Sequence, residues 1–237
     1  MEIEIYSDVV CPWCYIGKHR LERALESYDG DVTLRFRPFQ LDPRPVEQPR
    51  PLLDSLAEKF GGPDRVRQIT DHTTRVAAEE GLELRFDRAV AANTFDAHRL
   101  IWYADSRGRG PEVAEVLYRA YFTDGVDVGS RSALATLAAE VGLEEAEVRD
   151  FLDSPLGRKE VAADLAAAQQ LGVASVPTFV FAGKYVVTGA QEPETLRSVL
   201  DEVNRRLAAD AGLQPISGAE KGAAATAGEC TDGSCAV

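Results

Sequence analysis

The sequence predicts an α/β protein in which a small sheet is split by a large all-helical insertion. Three observations predict it. Alternation of apolar and polar residues, the signature of strands, occurs near residues 2–7 and 32–40 and returns near 175–189. Helical spacing fills the stretch between Leu52 and Leu171. A Cys-Pro-Trp-Cys motif, Cys11–Cys14, stands where the first strand gives way to a helix.

The elements follow in order. Ile3 and Ile5 alternate with Glu2 and Glu4, so residues 2–7 read as a strand. From Pro12 to about Tyr28, Ile16, Leu21 and Leu25 keep helical spacing, with Gly30 as a stop. Pro12 fits the first turn, where its missing N–H costs nothing. Residues 32–40 alternate again, which makes the opening a βαβ unit. Pro43, Pro45, Pro49 and Pro51 punctuate a connection. Helices are expected over 52–60, 63–80, 96–107, 111–123, 131–141, 144–153 and 156–171, broken by glycines such as Gly61, Gly62, Gly108 and Gly142. Leu82-Glu-Leu-Arg-Phe86 alternates like a short strand. Ser175–Ala182, a Gly183-Lys184 turn and Tyr185–Gly189 read as a hairpin, and Pro193–Asp210 as a last amphipathic helix. The expectation is a thioredoxin-like fold with a helical insertion: residues 1–41 and 172–212 form the sheet domain, 42–171 the insertion, and 213–237 a linker-like tail carrying Cys230 and Cys235.

Charge narrows the function. With 26 basic and 39 acidic residues, the net charge of −13 repels a phosphate backbone or an anionic membrane surface, so neither nucleic acid nor membrane is expected as a partner. No apolar run reaches the ~18 residues of a membrane span, and the Met-Glu-Ile-Glu-Ile start has neither the basic nor the apolar region of a secretory signal. The expected compartment is the cytoplasm. Four cysteines in 237 residues are too few for a disulfide scaffold. In a reducing compartment, two close pairs point to redox work or metal binding.

A helix N-terminus carries partial positive charge and unpaired N–H groups, which favour a thiolate on Cys11. The pKa of a cysteine so placed falls from about 8.5 to between ~3.5 and ~7.5. Thiolate is the form that attacks a disulfide, so Cys11 is the expected nucleophile and Cys14, one turn deeper, the resolving thiol. Trp13 brings no charge, so the couple is expected to be less oxidising than one with histidine there. Asp8 would oppose ionisation if it points inward. Val176-Pro177 conflicts with a strand, because proline cannot donate to the ladder. A cis bond at the strand's start resolves the conflict and exposes the Val176 backbone to an extended substrate. Pro12, Trp13, Val176 and Pro177 are therefore the expected docking residues.

The stretches Ser7-Asp-Val-Val-Cys-Pro-Trp-Cys-Tyr-Ile-Gly17, Asn93-Thr-Phe-Asp-Ala-His-Arg-Leu100, Val176-Pro-Thr-Phe179 and Gly189-Ala-Gln191 resemble FrnE-type members of the DsbA-like branch of the thioredoxin superfamily over about residues 1–210. The resemblance implies a thiol–disulfide oxidoreductase with a cis-proline loop, no bound cofactor, thiols or disulfides of proteins or small molecules as partners, and glutathione as a co-substrate. It also implies an auxiliary redox role for Cys230-Thr-Asp-Gly-Ser-Cys235. The 18 residues from Gly212 to Cys230 span roughly 23 Å, enough to bring that pair toward Cys11. The same branch holds glutathione-dependent 2-hydroxychromene-2-carboxylate isomerases, which carry serine at the position of Cys11. That isomerase chemistry is the alternative function. A zinc-binding module using all four cysteines is the third reading.

Other residues carry less. Glu4 is a candidate to face the sulfurs and take the Cys14 proton, with a surface position as its alternative. His19 and His98 are expected to be packed or surface histidines, with His98 kept as a candidate site residue. Phe95, Trp102, Tyr103, Tyr118, Tyr121 and Phe122 are expected mainly as insertion core. Monomer and homodimer are both compatible with the sequence.

Overall fold

The computed structural model describes residues 1–46 and 48–211. The tail over 213–237, with Cys230 and Cys235, lies outside the described residues.

Strand β1 (Glu2–Ser7) leads through Cys11 into helix α1 (Pro12–Glu26) and back to β2 (Thr33–Pro38), which runs parallel to β1. After the helices come β3 (Thr178–Phe181), antiparallel to β1, and β4 (Tyr185–Thr188), antiparallel to β3. The four-stranded order is β2-β1-β3-β4, so the first and last pieces of the chain form one sheet. Its alternation has a direct cause. Ile3 and Ile5 register with Phe181 and Phe179, and all four side chains are fully buried. Each contributes roughly 1.5–3 kcal/mol of apolar burial. Helix α9 (Pro193–Ala211) covers α1 through Leu196, Leu200 and Val203.

Between the strands run α2 (Leu52–Phe60), α3 (Pro63–Glu79), α4 (Phe95–Asp105), α5 (Gly110–Arg119), α6 (Arg131–Ala139), α7 (Glu145–Asp153) and α8 (Arg158–Gln170). Helices α4, α5 and α8 pack against β2. The α/β architecture with a helical insertion is as the sequence predicts. Among the described residues no helix is long and apolar enough to cross a membrane.

Two local expectations are corrected. Leu82–Phe86 is not a strand. Leu82, Leu84 and Phe86 do alternate into the core, but the segment lacks a ladder partner, and its Arg85 N–H bonds the Phe122 carbonyl instead. Alternate burial alone produced the strand-like pattern. The helix expected over 111–123 keeps α geometry only to Arg119, and Ala120–Asp124 form one π-helical turn. Gly125 ends that turn at φ 74°, and a Cβ there would sit 2.8 Å from the Arg88 carbonyl oxygen.

Candidate active site

The two sulfurs lie where the fold turns from strand to helix. Cys11 is the N-cap of α1, with extended backbone (φ −94°, ψ 112°). Its carbonyl accepts the N–H of Cys14 at 3.0 Å, and its own N–H donates to the Asp8 carbonyl at 3.0 Å. Both thiols are free and buried. Cys11 Sγ lies 3.8 Å from the Val176 carbonyl oxygen, the acceptor for its S–H. The sequence-distant segment at 176–177 is thus brought against the motif, and the Val176–Pro177 bond is cis. Gly17 makes the approach: a Cβ there would lie 2.9 Å from Pro177 Cγ and 3.3 Å from the Phe179 ring. Trp13 is half-buried and packs at 6.0 Å against the His72 ring.

Cys14 is the more enclosed thiol. Burial pushes its pKa well above the ordinary value, and the hydrogen bond to Cys11 and that sulfur's charge push the same way. The Asp8 backbone N–H works against them, while the Asp8 carboxylate adds to them. Asp8 is 1% exposed. Its Oδ2 accepts the Leu41 N–H at 2.7 Å, while Oδ1 is buried without a hydrogen bond. His98 Nε2 is 3.5 Å from Oδ1 and 2.9 Å from the Phe39 carbonyl. A carbonyl only accepts, so His98 carries its proton on Nε2. Tyr118, fully buried and stacked on Tyr15 at 5.1 Å, lies close enough to Cys14 for the sulfur's charge to add to burial in raising its hydroxyl pKa. That hydroxyl leans toward Ser7 without forming a hydrogen bond of ordinary geometry.

The expected site residues therefore separate. Cys11, Cys14, Pro12, Trp13, Val176 and Pro177 sit on one short stretch of backbone and the loop facing it. Glu4 does not belong there: its Oε1 accepts from Arg37 Nε at 2.6 Å, on the opposite phase of β1 from Ile3 and Ile5. The carboxylate near the sulfurs is Asp8, just past the end of β1. Sequence periodicity missed its role because burial of an aspartate leaves no apolar signal. His98 is neither surface-exposed nor isolated, since it faces Asp8. Tyr118 proves to be both insertion core and a wall of the sulfur site, whereas Trp102 is 37% exposed.

The rest of the Asn93–Leu100 stretch is an anchor. Asn93 Nδ2 donates to the carbonyls of Pro43 and Arg44 at 3.1 and 3.0 Å, holding the 39–46 connection beside Asp8. Arg99, wholly buried, donates to the carbonyls of Phe151, Leu152, Ser154 and Leu156 and to Asp96. It satisfies the orphan carbonyls at the end of α7. Among the described residues, His19, Glu22 and Glu115 are the one metal-like grouping, but Lys18 Nζ lies 2.7 Å from Glu22 and 2.6 Å from Glu115 and already serves as their cation.

A family model, the DSBA-like thioredoxin domain, matches residues 2–201. The chain belongs to that family. Among solved structures, this DSBA-like chain is similar to the probable DsbA oxidoreductase SCO1869 of Streptomyces coelicolor, with 35% identity, TM-score 0.81, and coverage of 98% of this chain and 100% of that one. It shares its fold with the cytosolic disulfide reductase DsbM of Pseudomonas aeruginosa, solved with GSH (22% identity, TM-score 0.62, 86% and 100% coverage). A 2-hydroxychromene-2-carboxylate isomerase also shares the fold (18% identity, TM-score 0.63, 91% and 100% coverage).

Proposed function

We propose that the protein is a FrnE-type thiol–disulfide oxidoreductase that works through Cys11 and Cys14. The observation that carries this reading is the placement of the two thiols. Cys11 caps α1 with its sulfur against Val176, and Cys14 lies buried one turn behind it. In the reducing direction, the Cys11 thiolate attacks a substrate disulfide R–S–S–R′, forms Cys11–S–S–R, and releases R′–S⁻. Cys14 then gives up its proton and attacks the Cys11 sulfur, forming the Cys11–Cys14 disulfide and releasing R–S⁻. Two electrons pass from the protein thiols to the substrate, and the oxidising direction is the reverse. The buried Asp8 carboxylate, with one oxygen unpaired, takes the Cys14 proton in this account, the role the sequence had offered to Glu4. The exposed side of Val176, with Pro12, Trp13 and Pro177, receives the substrate chain.

Thiols and disulfides are the partners, glutathione serves as co-substrate, and the cytoplasm is the site of action. The GSH bound to DsbM, itself a cytosolic protein, supports this reading. The Cys230/Cys235 pair would relay electrons to or from Cys11/Cys14. The isomerase reading draws on the shared fold alone. It leaves Cys14 without a task, although Cys14 sits directly behind Cys11.

The Cys14→Ser variant tests the choice. It should accumulate a stable mixed disulfide on Cys11 with oxidised glutathione and lose turnover. Full activity on a small aromatic substrate with glutathione, and no trapped adduct, would overturn the oxidoreductase reading.

A further inference from the structure

A cleft of about 690 Å³, within the ~300–1,000 Å³ of small-molecule sites, includes the residue that precedes Cys11 in its lining, though neither cysteine lines it. It starts at Val10, the residue before Cys11, and runs between the 41–50 connection and α2. Its lining is mixed, with Val10, Leu41, Val46, Leu52 and Leu56 forming an apolar part and charged side chains the rest. Leu41 and Val46 remain 44% and 38% exposed, and α2, which has no fully buried residue, adds Leu52 and Leu56 to the lining.

Two hydroxyls border the apolar part. Tyr121 is wholly buried yet lines the cleft, and its hydroxyl makes no hydrogen bond among the described residues. The π-helical turn at Ala120–Asp124 sets its direction, and such turns recur at functional sites. Burial, with the charges of Asp8 and Asp127, raises its pKa, so it stands as a donor. Ser55 Oγ, from α2 on the other side, is also buried and unpartnered. Buried polar groups ordinarily have partners, so the lone Ser55 hydroxyl, with the unpaired Tyr121 hydroxyl in the same lining, points to a ligand oxygen in the cleft. At the rim, Arg44 is paired with Asp42 and Arg50 with Glu58. Lys59 forms no ion pair within 4 Å among the described residues, although its charge acts on Asp42, and lies 6.0 Å from the Phe60 ring centre; the lining charges of Arg44, Arg50 and Lys59 against Asp42 and Glu58 leave one net positive charge.

We infer that this cleft binds a small amphipathic molecule with an apolar, ring-sized body, an acceptor oxygen directed at Tyr121 and Ser55, and a carboxylate at Lys59. Because the cleft opens one residue from Cys11, the bound molecule carries the thiol or disulfide that the site exchanges. The inference rests on the oxidoreductase reading and narrows its substrate to small aromatic or similarly apolar acid disulfides.

The test uses the reduced full chain and two probes. One is 5,5′-dithiobis(2-nitrobenzoate), an aromatic acid disulfide, and the other is hydroxyethyl disulfide, which has neither ring nor carboxylate. The wild-type protein should show saturation with the aromatic probe and none with the other. Tyr121→Phe should lower the aromatic-to-hydroxyethyl single-turnover rate ratio by roughly three- to tenfold, the effect of one neutral hydrogen bond, expressed as a higher half-saturating probe concentration at little change in the limiting rate. Leu56→Trp, on a helix with no fully buried residue, should fill the cleft and lower the ratio further. Linear kinetics with both probes, or an unchanged ratio in both variants, would overturn the cleft proposal while leaving the redox reading standing. Failure of the wild-type protein to reduce either probe would instead overturn the redox reading.

Discussion

Replacing Asp8 with asparagine separates two opposite roles for one buried carboxylate. The Cys14 thiol is 1% exposed and its pKa lies well above the ordinary 9.0. At pH 7, less than about 1% of it ionises unaided, which limits resolution at least ~100-fold relative to a fully ionised thiol. A nearby base recovers such losses, typically by about 10²–10⁴. Asparagine keeps the acceptor for the Leu41 N–H but cannot take a proton. If Asp8 accepts the Cys14 proton, Asp8→Asn slows resolution of a Cys11 mixed disulfide by about 10- to 100-fold at pH 7. The rate should then climb about tenfold per pH unit as Cys14 ionises on its own. If Asp8 acts only as a repelling charge, its removal makes Cys14 easier to ionise and resolution speeds up. Stopped-flow release of a chromogenic thiolate, over pH 6–9, reads the resolving step apart from the first attack. An equal or faster resolution in Asp8→Asn at pH 7 refutes the base role. A first attack close to the wild-type rate shows that the fold is intact.

Gly17→Ala places a methyl group 2.9 Å from Pro177. Overpacking of about 1–3 kcal/mol should exceed the roughly 1 kcal/mol gain in helix propensity, so both stability and the Cys11 exchange rate should fall. A more stable variant with unchanged exchange would contradict the contact. Glu115→Gln tests the Lys18 cluster. Burial alone would raise the Glu115 carboxyl pKa, but the His19 ring, 3.5 Å away, and Lys18 outweigh it and hold it at about 2. A depressed carboxyl stabilises above its unfolded value and loses that stabilisation as pH falls toward 2. Discounted for its 35% exposure, the loss at pH 7 should be about 1–2 kcal/mol and should vanish near pH 2 in chemical unfolding. A gap that stays constant with pH would refute the ion-pair origin. Arg99→Met should cost about 3–5 kcal/mol by orphaning the carbonyls at the end of α7, and a loss under 1 kcal/mol in urea titration would refute that anchoring.

The sheet was legible because its strands obey a two-residue period and their inward residues are isoleucine and phenylalanine. Leu82–Phe86 shows the limit of that logic, since burial alternates there without a ladder. Cys11 and Cys14 were legible as a site because their spacing on a helix start has chemical meaning by itself. Asp8 stands out in the sequence, but nothing there orients it. Its burial depends on Leu41, His98 and Tyr118, which lie 33, 90 and 110 residues away in the chain and announce nothing at residue 8. Glu4 illustrates the converse, because its phase on β1 was visible but Arg37 as its partner was not. The Tyr121 and Ser55 hydroxyls were equally hidden, since only the packed chain brings both into one cleft and leaves Ser55 Oγ buried without a partner.

The central claim is that Cys11 and Cys14 form one two-electron couple. It is tested most directly by equilibrating the full chain, and a chain ending at Leu213, with glutathione redox buffers and quantifying free thiols. The account predicts a single two-electron transition, between about −270 mV for a reductase and −120 mV for an oxidant, that persists without the tail. A Cys11–Cys14 disulfide that forms at no accessible poise would contradict it.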